Sequence, residues 1–274
     1  MKSLLKIPLL VAVATMMTCS FSACSDNDDP TPDTGTSETD AKFEAIAKQY
    51  LDHTVYVTYK NLADETEQLV KDLQALKSSK TDANVKATCE TFLEARAWWE
   101  KSEAFLYGAA TDFGIDPHID SWPLDLDGLQ TALKNTEQVE AMGGEDGDIY
   151  AGEKLGNSLL GFHGIEYILF EDGSPKSVSK ISDLHLTYAV AVAGDLRNRC
   201  WQLELSWRGE SAVNADRVAK VANELELPYT VNSGEYSYGE NMLNAGKAGS
   251  TYASWTLAMQ AIICLLYTSD AADD

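Results

Sequence analysis

The run Gly161-Phe-His-Gly-Ile-Glu166 sets an imidazole and a carboxylate three residues apart. At helical spacing His163 and Glu166 share a face, with Cβ atoms roughly 5–6 Å apart. Such a pair can ligate a metal ion or form a buried structural pair. The surrounding segment, 154–170, is otherwise apolar. Leu159 and Phe170 extend the His163 face; Phe162, Ile165 and Leu169 line a second; Leu160 and Ile168 a third. A helix apolar on every side is expected to be buried, and a buried carboxylate needs a cation, a metal or several hydrogen bonds. Gly156, Gly161 and Gly164 each cost roughly 1 kcal/mol in a helix relative to alanine. Close approach of another backbone or of a ligand is the expected compensation.

Two further segments carry chemistry. On a helix predicted over 85–107, Phe92, Arg96, Trp99, Glu103 and Leu106 follow at steps of four and three. Arg96 and Glu103 thus lie on an apolar stripe, roughly 10 Å apart along the axis, so each needs a partner on another element. Ordinary buried salt bridges would also satisfy them. The loop 116–125 combines His118, Asp120 and Trp122 with two prolines; this is turn chemistry, and also the kind of loop that carries function. His53 and His185 read as surface or hydrogen-bonded core histidines.

The elements that must position these residues are helices. Periodicity predicts one helix over 41–77 and another over 126–142 stopped by Gly143-Gly144. The His163 helix ends at Asp172-Gly-Ser-Pro175, and a long helix opened by Ser182 runs to Ser206. Thr81 or Asp82 is the expected N-cap of the second helix. Shorter pieces follow over 214–225, a Tyr/Ser/Gly/Asn-rich turn region over 229–250, and a last helix over 252–263. No alternation of period two persists, so the class is all-α, of bundle type.

The ends read differently. Residues 1–23 form a signal peptide: Lys2 and Lys6, a short apolar core, then Ser22-Ala23 before Cys24. This ending resembles a bacterial lipobox, which would make Cys24 the lipidated first residue. The polar, acidic stretch 24–40 cannot bury a core and is expected to be a disordered tether. Its acidic run resembles the surface-export signal of Bacteroides-type lipoproteins, which implies an outer-membrane lipoprotein displayed outward. Residues 264–274 resemble the in-frame translation of a sequencing adapter, so the genuine domain is expected over 41–263, as a truncated fragment. The chain has 43 acidic and 21 basic residues, a net charge of −22; phosphate backbones would be repelled, and nucleic acid is not an expected partner. Cys89 and Cys200 could bridge in an oxidising compartment, but their spacing fixes no distance.

Gly161-x-His163-x-x-Glu166 on an apolar helix resembles the signature of the imelysin-like family, peptidase family M75. Arg96-x-x-Trp99-x-x-x-Glu103-x-Phe105-x-x-Gly108 and Asp120-Ser-Trp122-Pro123 resemble further motifs of that family, in the same order. The resemblance spans about 41–263. It implies two packed helical bundles, the second incomplete here, with the His163 helix near their interface. It also implies an envelope protein linked to iron or another metal, or to peptidase activity. Carried over by position, His163 and Glu166 are candidate metal ligands with Glu103 converging on them. Gly161, Arg96, Trp99, Asp120 and Trp122 are supporting motif positions, and His118 is a further candidate ligand.

Three functions remain open. The first is binding of a metal or small ligand, in iron or metal uptake together with an uptake system. The second is a metallopeptidase. A zinc hydrolase wants about three protein ligands, and zincins supply a second histidine, whereas Tyr167 follows Glu166 here. The third is a non-catalytic surface scaffold. An imidazole with carboxylates suits divalent or ferric ions, iron or zinc foremost.

Overall fold

The computed structural model describes residues 38–270, with side chains as far as Cys264. The expected signal peptide, Cys24 and the expected tether up to residue 37 lie outside the described residues, as do residues 271–274; residues 38–40, expected to belong to that tether, instead open a helix.

Helix α1 (Glu38–Tyr50) passes through a π-helical turn (Leu51–Val55) into α2 (Tyr56–Ser78). The predicted single helix is therefore interrupted. The wider turn lets Ala47, Leu51, Val55 and Tyr59, each four residues apart, all face inward, while Ile46 and Val57 are exposed. Thr81 caps α3 (Asp82–Ser102) by accepting from the Asn84 amide at 3.1 Å, and α3 tightens into a 3-10 turn at Glu103–Phe105.

Short helices follow: α4 (Ala109–Asp112), α5 (Asp116–Ile119), α6 (Leu126–Lys134), α7 (Thr136–Met142) and α8 (Gly147–Lys154). The predicted 126–142 helix splits because the Asn135 side chain accepts from the Gln138 amide at 3.2 Å and starts α7 afresh. Helix α9 (Gly161–Leu169) is shorter than its apolar segment and runs into a small hairpin, β1 (Phe170–Glu171) with β2 (Ser174–Pro175).

Helix α10 (Asp183–Arg208) opens with a reciprocal capping box: Ser182 Oγ accepts from the His185 amide, and the Ser182 amide donates to His185 Nδ1. His185 is thus a capping residue. Helix α11 (Ala215–Val218) leads into a π-helical turn (Ala219–Glu224), and α12 (Tyr238–Leu243) precedes α13 (Trp255–Asp270). The last helix carries on past residue 263, where the sequence reading ended it.

The architecture is all-α. Helices α2, α3 and α10 pack together, and α9 lies against α10 and α3. Their shared core holds Leu62, Leu69, Leu73, Phe92, Trp99, Phe162, Ile165, Leu196 and Leu203. Cys89 and Cys200 are both buried free thiols, so the bridge left open by the sequence is not formed. Cys89 faces the Leu169 carbonyl, and burial pushes its thiol up to about 12.

One ion cluster pins α11 to this core. Arg217 reaches Glu204 at 2.7 Å, Asp64 at 2.6 Å and Glu67 at 2.8 Å, and Glu204, almost fully buried, also accepts from Arg208. Burial pushes the Asp64 and Glu67 carboxyls up, but Arg217 with Lys60 or Lys71 outweighs it, so both titrate below their ordinary values. A depressed carboxyl contributes stability above about pH 4 and loses it as pH falls through the folded value. Arg217→Leu strands the buried Glu204 and should cost stability toward the lower end of about 3–5 kcal/mol, since Arg208 remains. Urea unfolding from pH 7 to pH 2.5 should show that cost at neutral pH and a flatter acid limb in the variant.

Candidate functional site

The site begins with a backbone contact. Gly161 starts α9 with φ +65°, and a Cβ there would run into the carbonyl of Ile119 at the end of α5. Only glycine takes that conformation without strain and permits that approach. At Gly164, one turn on, a Cβ would meet the Leu159 carbonyl and come within 3.2 Å of the Tyr188 hydroxyl; that hydroxyl donates to the same carbonyl. The predicted close backbone approach is therefore present, and it sets Asp120 beside His163.

Asp120 is the centre of the cluster. Its Oδ1 accepts from the Arg96 guanidinium and faces His163 Nε2 at 3.1 Å; its Oδ2 accepts from Trp99 Nε1 at 2.7 Å. Arg96 also pairs with Glu100 at 2.5 Å and lies over the Phe162 ring. Burial lowers the Arg96 pKa, but Asp120 and Glu100 together raise it above its ordinary value. The second nitrogen of His163, Nδ1, lies 3.2 Å from Glu166 Oε2, and the Trp122 ring sits 4.8 Å from the imidazole. A neutral imidazole carries one N–H. Once Asp120 takes it, the contact between Nδ1 and Glu166 needs a second proton or a cation.

The pair opens onto a cavity of about 240 Å³, walled by Trp122, Leu124, Tyr167, Phe170, Glu171 and Asp172 as well as His163 and Glu166. This corrects the expectation of a helix buried on every side. Phe162, Ile165, Ile168 and Leu169 are buried, but the His163 face fronts the cavity, and the Glu166 side chain is 53% exposed.

Among the described residues, neither Glu103 nor His118 is paired with His163 or Glu166. Glu103 stands on the 3-10 turn beyond Arg96, and its charged neighbours are Asp116, Glu100, Asp120 and Arg96. Arg96 takes the position opposite Asp120, which leaves Glu103 about two turns further along. Burial first, then the like charges of Asp116, Glu100 and Asp120, raise the Glu103 carboxyl; burial and Asp120 do the same to Asp116. His118 Nε2 instead meets Asp195 Oδ2 at 2.7 Å. Among the described residues, no three of His, Cys, Asp and Glu are grouped to hold a metal ion. Glu100 and Asp195 escaped the sequence reading: Glu100 looks like any exposed helical acid, and Asp195 lies far from the motifs.

A buried His–Asp pair on packed helices, facing an open acidic cavity, defines an all-α protein with a site suited to a metal or a small ligand. The imelysin family model (peptidase M75) matches residues 55–252, and the chain belongs to that family. It is 31% identical over 163 residues to iron-regulated protein A of Synechococcus elongatus, covering 59% of this chain and 40% of that protein. Two solved structures share the fold. A chain designated an iron-regulated protein A precursor, from Parabacteroides distasonis, aligns with a TM-score of 0.64 at 24% identity, over 83% of this chain and 57% of that one. An imelysin-like protein from Psychrobacter arcticum aligns with a TM-score of 0.51 at 13% identity, over 86% and 76%. The chain thus spans well under two thirds of the iron-regulated proteins it matches.

Two substitutions probe the site's construction. Gly161→Ala meets both an unfavourable φ and the Ile119 carbonyl, and should cost at least about 2 kcal/mol in chemical denaturation. Glu103→Gln should raise the melting temperature at pH 7. Its folded pKa lies above the ordinary value, so ionisation opposes folding at neutral pH. The gain should vanish near pH 3, where wild-type Glu103 is protonated whether folded or not.

Proposed function

We propose that this protein is a cell-envelope lipoprotein, anchored at Cys24 in the outer membrane, that binds a metal ion at His163 and Glu166 in iron or metal uptake. The observation that supports it most is the placement of His163 between two carboxylates of unlike setting. Asp120, held in place by Arg96 and Trp99, orients the ring from behind. A histidine ligand commonly donates its other N–H to such a carboxylate, which fixes the ring and strengthens its free nitrogen. Glu166 faces the cavity on the opposite side. Two ligands of one first-row ion at about 2.0–2.1 Å stand roughly 3 Å apart when adjacent, and the 3.2 Å separation of Nδ1 from Oε2 fits that span. When bound, the ion would supply charge and open coordination positions, which a carried anion or water can fill.

The names of the iron-regulated relatives point the same way. Among the described residues no helix is long and apolar enough to cross a membrane, so membrane attachment in this reading rests on the lipid. The peptidase reading asks for a third protein ligand and a general base; His118 is paired with Asp195 instead, and Glu103 is paired with neither His163 nor Glu166.

Titration with zinc and with ferric iron tests the proposal. Wild-type protein should be stabilised by metal through mass action, about 2.7 kcal/mol at one hundred times Kd. His163→Ala and Glu166→Gln should abolish that gain and leave the helical circular dichroism unchanged. An unchanged melting temperature across divalent metals and ferric iron would favour the scaffold reading. Metal-dependent cleavage of a peptide panel would favour the peptidase.

A further inference from the structure

His118 does not face the His163–Glu166 pair, yet it is held tightly. Its ring and the Asp195 carboxylate are only 11% and 6% exposed, with Nε2 and Oδ2 2.7 Å apart. We propose that the His118–Asp195 pair is a positioning brace: it fixes Asp120, and through Asp120 the ring of His163. The functional weight of this brace rests on the reading of His163 as a ligand residue; its mechanics rest on geometry alone.

Helix α5 is a single turn of four residues. So short a helix does not hold its place by its own backbone bonds. Three contacts locate it. Ile119 is fully buried in the core. The Ile119 carbonyl abuts Gly161. His118 reaches across to Asp195, in the middle of the long α10. Asp120 follows Ile119 directly, so any rotation of α5 moves its carboxylate relative to Arg96, Trp99 and His163. The α10 side of the brace is built as deliberately. Gly152 of α8 lies where a Cβ would run into Asp195 Oδ1, so α8 leaves room for this carboxylate. A carboxylate so deeply buried is retained at a cost unless a partner holds it, and His118 is that partner.

The alternative is a buried pair that stabilises the fold without reaching the site. The ring proton of His163 separates the two, because it reports the contact with Asp120 without any metal. Protein labelled with ¹⁵N-histidine has four histidines, His53, His118, His163 and His185, so the signal can be assigned. In wild type the His163 Nε2 proton should be protected from exchange. His118→Leu should speed its exchange about tenfold or more, and His118→Gln, which restores a donor toward Asp195, should recover most of the protection. Gly152→Ala, which crowds Asp195 without touching α5, should mimic His118→Leu and serves if that variant does not fold. Zinc affinity should fall about tenfold in the same variants, as for other supports of a metal ligand. Variants that melt earlier but leave His163 exchange unchanged would overturn the brace, as would an unprotected His163 proton in wild type. Faster His163 exchange in a chain that binds no zinc would uphold the brace and count against the metal reading instead.

Discussion

A carboxylate withdrawn from water must be given donors from the protein, and Asp120 collects them from two helices. Arg96 and Trp99 come from α3 and His163 from α9. The other features of the site follow from that requirement. Asp120 can reach these donors only if the chain after α5 passes close to the start of α9, and that passage is open because position 161 has no side chain. The imidazole then has one nitrogen committed to Asp120 and one turned toward Glu166 and the cavity. The shape of the site is thus set by how one charge is neutralised.

That neutralisation is local and incomplete. Arg96 serves both Asp120 and Glu100, while Glu103 and Asp116 stand nearby and repel each other and Asp120. The neighbourhood holds more negative charge than its arginine offsets, and Glu166, Glu171 and Asp172 add to it at the cavity wall. Clefts lined by one sign of charge concentrate counter-ions, which suits a site that gathers cations. The Arg217 cluster behaves differently. There the cation is shared among Asp64, Glu67 and Glu204 inside the packed helices, and it holds α11 in place.

The chain belongs to the imelysin family, and two of the proteins it resembles carry names that refer to iron regulation. The described residues bring His163 between Asp120 and Glu166 at the edge of an open cavity, and among them no three of His, Cys, Asp and Glu are grouped to hold a metal ion.

Much of this was legible in the chain. The 3.6-residue period gave the all-α class, Thr81 and Ser182 gave helix starts, and Gly161 and Gly164 gave the close backbone approach, while Gly156, expected to share it, lies in extended backbone with open space beside it. All of these are local properties, set by propensity, capping and backbone freedom over a few residues. What the sequence could not set was partnership. Arg96 needed an acid on another element, but only the packing of α5 against α9 showed that the acid is Asp120. His118 and His163 lie 45 residues apart and both looked like ligands, yet one turns to Asp195 on α10 and the other to the cavity. The apolar faces of α9 could not reveal which would meet a helix and which would meet open space, since Glu166 lies on a helix whose other faces are packed. Those choices depend on contacts between segments distant in the chain, and only the assembled helices bring them together.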